Sequence, residues 1–158
     1  MDRTLIDQFA AQADVPARAI QGLDAADLLA YPIPGTWSIQ QIVVHLLESD
    51  LAATHRMRRI AGEDLPLIIA YDETALAKNL QYDRTDLSLT TDLFAANRRF
   101  VSHWLRLLPD ETFTRRGVHN QNGFMTLRGL VETYIRHVNG HMEHLRKKRA
   151  LLGKPLGW

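Results

Sequence analysis

The chain has 158 residues, 46% of them apolar and 23% charged, with 19 basic against 18 acidic side chains and a net charge of +1. That length suits a single domain, residues 1–158, and the near-neutral balance argues against nucleic acid or an anionic membrane as partner. No apolar run approaches the roughly 18 residues needed to span a bilayer, and the absence of cysteine rules out disulfides, thiolate ligands and a cysteine nucleophile.

The opening Met1-Asp2-Arg3-Thr4 lacks the charged-then-apolar layout of a secretory signal, so the expected location is cytoplasmic. Helical periodicity starts at about Thr4 and runs to Leu23, marked by Leu5, Ile6, Phe9, Ala13 and Ile20. Pro16 falls inside that pattern and predicts a kink or break there. Asp24 reads as the N-cap of a short helical piece, and Tyr31-Pro32-Ile33-Pro34-Gly35 forbids any continuation.

The second long helix has the clearest start. Ser38 and Gln41 make a capping box, and Trp37 and Ile42 stand at the positions of a hydrophobic staple. Its inward stripe reads Ile42, His45, Leu46, Ser49, Ala53 and Met57, ending near Gly62. A connection through Leu65-Pro66-Leu67-Ile68-Ile69 leads to a short helix capped by Asp72. The third long helix spans about Leu87 to Leu108, with Leu89, Leu93, Phe100, Val101, Trp104 and Leu108 as its apolar marks, and Pro109 stops it. Thr112 to Thr126 contains the turn signal Asn122-Gly123 and reads as an irregular or hairpin-like excursion. The last helix runs from Thr126 to about Leu152, its apolar arc made of Leu127, Leu130, Tyr134, Val138, Leu145 and Leu152. Four long amphipathic helices predict an all-α, four-helix bundle.

Three of the seven histidines stand out. His141 lies inside the apolar arc of the last helix, His137 about 40° round from it, and His45 on the apolar stripe of the second helix. An isolated His-x-x-x-His pair is more often hydrogen-bonded or solvated than metal-binding. A lone histidine on an apolar stripe is usually a satisfied core residue. Jointly the case changes, because three imidazoles buried together need a compensating partner and a divalent cation supplies one. Zinc, nickel, iron and manganese all suit such donors. His144 could replace His137 in the set. Glu48 reads either as an acceptor that fixes an imidazole tautomer or as a solvated glutamate, and Tyr134 as a packed core tyrosine or a donor to a bound ligand. His119 reads as a loop residue near a pocket mouth or as structurally bland. His55 and His103 read as surface or packing residues. Arg146-Lys147-Lys148-Arg149 reads as a basic run complementing the helix dipole.

Three stretches carry a family likeness: Pro34-Gly35-Thr36-Trp37-Ser38-Ile39 leading to His45-Leu46, Gly123-Phe124-Met125-Thr126-Leu127, and His137-x-x-x-His141. At these residues the chain resembles the DinB-like superfamily with its YfiT-like metal-dependent members. The resemblance covers nearly the whole chain. It implies an up-down-down-up four-helix bundle, a homodimer, and His45, His137 and His141 as ligands of a divalent transition metal, zinc or nickel ahead of iron or manganese. It also implies a small-molecule substrate and, in some relatives, a low-molecular-weight thiol. The catalytic residues stay unassigned. Two functions follow as expectations: a metal-dependent enzyme, a thiol S-transferase or a hydrolase, and alternatively a non-catalytic metal-binding or stress-response protein.

Overall fold

Pro16 breaks the first helical pattern, as its missing N–H requires. Helix α1, Thr4–Ala11, stops before it, and α2, Val15–Ala19, restarts with the proline in its first turn. The computed structural model describes residues 3–158. Asp24 and Asp27 cap one another's backbone to open the short α3, Ala25–Leu29. Ser38 Oγ then accepts from Gln41 N–H at 3.2 Å while Gln41 Oε1 accepts from Ser38 N–H at 3.0 Å. That reciprocal box starts α4, Ile39–Gly62. Strand β1, Leu67–Ile68, and helix α5, Glu73–Asn79, lead to α6, Leu87–Leu107. Strands β2, Arg116–His119, and β3, Gly123–Thr126, form a hairpin, and Thr126 Oγ1 caps α7, Leu127–Leu151, by accepting from Gly129 N–H at 3.0 Å.

Side-chain contacts fix the helix directions. Asp7 pairs with Arg106 and Asp14 with Arg99, so α1 runs antiparallel to α6. Gln12 meets Asn139 while Arg149 meets Ala19 and Gln21, so the α1–α2 arm runs parallel to α7. His45 meets His137 and Arg56 meets Tyr134, which makes α4 antiparallel to α7. Strand β1 after α4 pairs in parallel with β2 after α6, so those two helices end on the same side. The result is the up-down-down-up bundle. Strand β1 and the β-hairpin gather at the end where α7 begins, and the rest of the α4–α6 crossover runs back along the bundle to Gln40, whose amide donates to the Tyr82 and Thr85 carbonyls.

The β1–β2 pairing makes a three-stranded sheet where sequence alone suggested a connection and a hairpin. A two-residue strand has no periodicity to read, and its partner lies about fifty residues away. Gly117 permits the close approach of β2 to α4, since a Cβ there would stand 3.0 Å from Ile60 Cγ1 and from the Pro66 carbonyl oxygen. Gly123, at φ +71°, takes the left-handed conformation that the Asn-Gly turn requires.

The core has two main apolar halves and a small third cluster of Val44, Ala77 and Tyr82. Ile6, Phe9, Met57, Ile60, Val101, Leu105, Leu127 and Val131 fill one, and Ala19, Ile42, Leu46, Phe94, Val138 and Leu145 fill the other. Between them runs a buried polar belt. Arg98 Nε lies 2.7 Å from Asp50 Oδ1 with each side chain 1% exposed. The Arg98 guanidinium also donates to Gln12 Oε1 and to the Tyr134 carbonyl, and it stacks 3.8 Å from the Phe9 ring centre. Asn97 Nδ2 donates to Asp50 Oδ2 at 2.6 Å. Burial raises the Asp50 carboxyl pKa and lowers that of Arg98, so desolvation outweighs the attraction within the pair.

This belt redirects α6. Leu89, Leu93 and Phe100, expected to face inward, are exposed, while Thr90, Thr91, Asn97, Arg98 and Ser102 are buried with hydrogen-bond partners. The basic run of α7 also divides. Arg146 and Lys147 are exposed, but Lys148 and Arg149 are buried. No helix among the described residues is long and apolar enough to cross a membrane.

Candidate metal centre

His45 faces α7 because it shares the inward stripe of α4 with Ile42, Leu46 and Ser49. It is fully buried, with the Trp37 ring 4.8 Å from its own. His137 and His141 stand one turn apart on the facing side of α7. His45 Nε2 lies 3.0 Å from His137 Nε2, and His141 Nε2 lies 3.1 Å from the same atom. One ring nitrogen from each of the three residues falls within 4.8 Å of the others. Burial first, and then the neighbouring rings, pushes the His45 pKa down to about 3. Burial and His141 push His137 down to about 4, and burial with His144 lowers His141. The rings are therefore neutral near pH 7, each with one nitrogen lone pair.

The donor set fits a divalent transition metal. Imidazole nitrogens about 2.1 Å from one ion stand roughly 3–3.5 Å apart in neighbouring positions, and 3.0 and 3.1 Å are observed here. Without an ion, two neutral rings meeting Nε2 to Nε2 share one hydrogen bond at most, so the three nitrogens satisfy one another incompletely. A three-protein-ligand set leaves coordination positions for a small molecule, as catalytic sites do. With Nε2 turned to the centre, His45 Nδ1 is buried with no hydrogen-bond partner among the described residues.

His144 is not part of the cluster; its ring centre lies 6.4 Å from that of His141 and its side chain is exposed. Glu48 makes no hydrogen bond to any of the three rings among the described residues. It stands instead near Tyr71 and Tyr82, where burial chiefly, and its charge in addition, raises the phenol pKa values. The carboxylate at the cluster is Glu73, whose Oε2 lies 3.9 Å from His45 Nε2. Sequence proximity favoured Glu48, three residues after His45. Glu73 arrives from the first turn of α5, positioned by the Asp72 cap on Ala75 N–H. Burial raises its pKa, while the positive charge of Arg56 lowers it.

A cleft of about 230 Å³ opens beside His137. Its wall can be followed by contacts. Ser49 Oγ is 3.4 Å from His45 Nε2 and 3.0 Å from the Tyr71 hydroxyl. The Arg56 guanidinium lies 5.2 Å from the Tyr71 ring centre and donates to the Tyr134 hydroxyl at 2.9 Å. Tyr134 in turn sets its ring edgewise against His137, 5.8 Å between centres. Burial pushes the Tyr134 phenol up to about 12. It keeps its proton, and having accepted from Arg56 it is free to donate into the cleft. His119 also lines the cleft, at the end of β2. Its Nδ1 accepts from Gln121 N–H and Asn122 N–H, each at 3.2 Å, which leaves Nε2 as the protonated nitrogen. The Asn-Gly turn that looked merely structural thus fixes a tautomer.

The bundle thus brings three imidazoles together, with His137 at the wall of a polar cleft. The chain belongs to the DinB superfamily, whose sequence profile matches residues 8–145. It is 26% identical over 149 residues, 92% of this chain and 82% of the relative, to YfiT of Bacillus subtilis (strain 168), provisionally named a metal-dependent hydrolase. The solved structure of YfiT, described as having an unusual four-helix bundle topology, superposes with a TM-score of 0.88 at 24% identity, covering 97% of this chain and 90% of that one. The mycothiol-dependent maleylpyruvate isomerase superposes with a TM-score of 0.70 at 13% identity, covering 90% of this chain and 59% of that one.

Proposed function

We propose that this protein is a metal-dependent enzyme in which His45, His137 and His141 hold a divalent transition metal and Glu73 serves as the proton acceptor for a small nucleophile. The observation that carries this reading is the convergence of three imidazole Nε2 atoms with one carboxylate oxygen 3.9 Å from that of His45. A divalent cation there would lower the pKa of a thiol or water. Glu73 stands where it could take the released proton. Arg56, Tyr134 and His119 supply donors along the cleft to orient the second reactant.

A thiol S-transferase fits this arrangement, since the chain has no cysteine and would take its thiol from solution. That the chain superposes on a mycothiol-dependent enzyme supports this reading. Hydrolysis is the second reading, favoured by the name of the YfiT relative, and it uses the same residues with water as nucleophile. The metal-loaded chain is assayed with a small thiol and an alkylating electrophile, and in parallel with an activated ester. Glu73→Gln should slow whichever reaction occurs by about 10² or more, as removal of a general base does, while metal content stays stoichiometric. Loss of the metal in Glu73→Gln would make the carboxylate a ligand. An unchanged rate would remove it from the reaction.

We also infer a homodimer. Leu89, Leu93, Ala96, Phe100, His103 and Leu107 form an exposed row on α6. Their alternating spacing of four and three is that of a helix seeking a second helix. Sedimentation equilibrium should give twice 18.0 kDa for the parent chain and 18.0 kDa for Phe100→Glu. A monomeric parent would end this inference. A dimeric Phe100→Glu would place the interface elsewhere.

A further inference from the structure

A second cavity, of about 170 Å³, borders His141 and shares no lining residue with the polar cleft. Ile33, Trp37 and Ile42 give it apolar walls, His141 and His144 stand at its edge, and Thr36 and Lys148 complete it. None of these lining residues is acidic.

Lys148 is the anomaly. It is 1% exposed, as hidden as the core leucines, and burial depresses its pKa. The other buried cations are fully provided for. Arg98 faces Asp50, and Arg149 donates to the carbonyls of Ala19, Gln21 and Lys154. Lys148 Nζ has one hydrogen-bond partner among the described residues, the Thr36 hydroxyl, which itself donates to the Ile33 carbonyl. No carboxylate lies within ion-pair distance of it among those residues. An ammonium carries three N–H donors, so two are left over. Keeping a charged amine hidden with so little compensation is costly, and a stem that merely packs would let its head reach water.

We propose that this cavity is a binding site for a small organic anion with an apolar body, its carboxylate on Lys148 Nζ and its body between Trp37 and Ile42. The size agrees: an apolar cavity of about 150 Å³ holds a benzene ring. The site is separate from the cleft at His137 and does not depend on an ion at the histidines. It would place a second molecule beside His141.

Benzoate and its neutral isostere benzamide are the probes, titrated into the full chain by calorimetry and by ¹⁵N NMR of the indole N–H groups. Benzoate should bind saturably, shift the Trp37 signal rather than those of Trp104 and Trp158, and bind at least about tenfold more tightly than benzamide, as charge-assisted hydrogen bonds require. Lys148→Met should abolish that preference, and His137→Ala should leave it intact. Equal binding of the two probes in the parent chain would overturn the proposal without reference to any variant. So would the absence of a Trp37 response. Benzoate binding that survives Lys148→Met but disappears in His137→Ala would place the carboxylate on a metal, contradicting the site while supporting the metal centre.

Discussion

His137→Ala should abolish stoichiometric binding of a divalent transition metal while leaving the bundle folded. His137 is the central member of the cluster, with Nε2 3.0 Å from one partner nitrogen and 3.1 Å from the other. Without it, His45 and His141 remain as two nitrogens on different helices. Disturbing a hydrogen bond behind a metal ligand costs 10–100-fold in affinity, so loss of a ligand should exceed roughly 100-fold. The half-buried ring belongs to neither apolar half of the core, and its removal leaves no large cavity among packed aliphatic side chains. Competition titration against a chelator of known affinity reads the loss, and far-UV circular dichroism reads the fold. His144→Ala is the control and should bind as the parent does. Equal affinities for the parent and His137→Ala would show that the metal, if bound, sits elsewhere.

The largest effect on stability is expected at Asp50. Asp50→Asn keeps the shape but strands the Arg98 guanidinium in the bundle interior, where it is fully buried. Breaking a buried ion pair from one side costs about 3–5 kcal/mol. In a chain of this size that is roughly 6–20 °C in melting temperature. Chemical denaturation should show a lower midpoint with an unchanged slope. The paired replacement Asp50→Leu with Arg98→Met should recover much of the loss, because it removes both desolvation costs together. A single variant as stable as the parent would mean that water reaches the belt and that the pair is not sealed.

These two positions also mark what the sequence could and could not disclose. Caps were legible because their chemistry is local: Ser38 with Gln41, Asp24 and Asp72 each satisfy backbone donors within a few residues. Pro16 was legible for the same reason. The three histidines could be read as one set because each shares a stripe with aliphatic neighbours, and a stripe's direction survives folding. The polar belt was not legible. Asp50, Arg98 and Asn97 look like surface residues until a partner on another helix is known. Once they are buried, the face of α6 opposite them, with Leu89, Leu93 and Phe100, must turn outward. Glu73 was hidden by a different cause, since nothing local to α5 says that its first turn folds back over α4. His119 and Lys148 are similar. Each owes its situation to a hydrogen-bond arrangement, the Gln121–Asn122 turn in one case and the Thr36 hydroxyl in the other, that residue type alone does not announce.

The most direct test is X-ray absorption at the metal edge of the chain purified without an affinity tag. The imidazole cluster predicts one transition metal per chain, with multiple-scattering features from three histidine rings at about 2.0–2.1 Å and lighter oxygen or sulfur donors completing the sphere. A sample with no stoichiometric metal after exposure to zinc, nickel, iron and manganese, or a metal shell without imidazole scattering, would contradict the account.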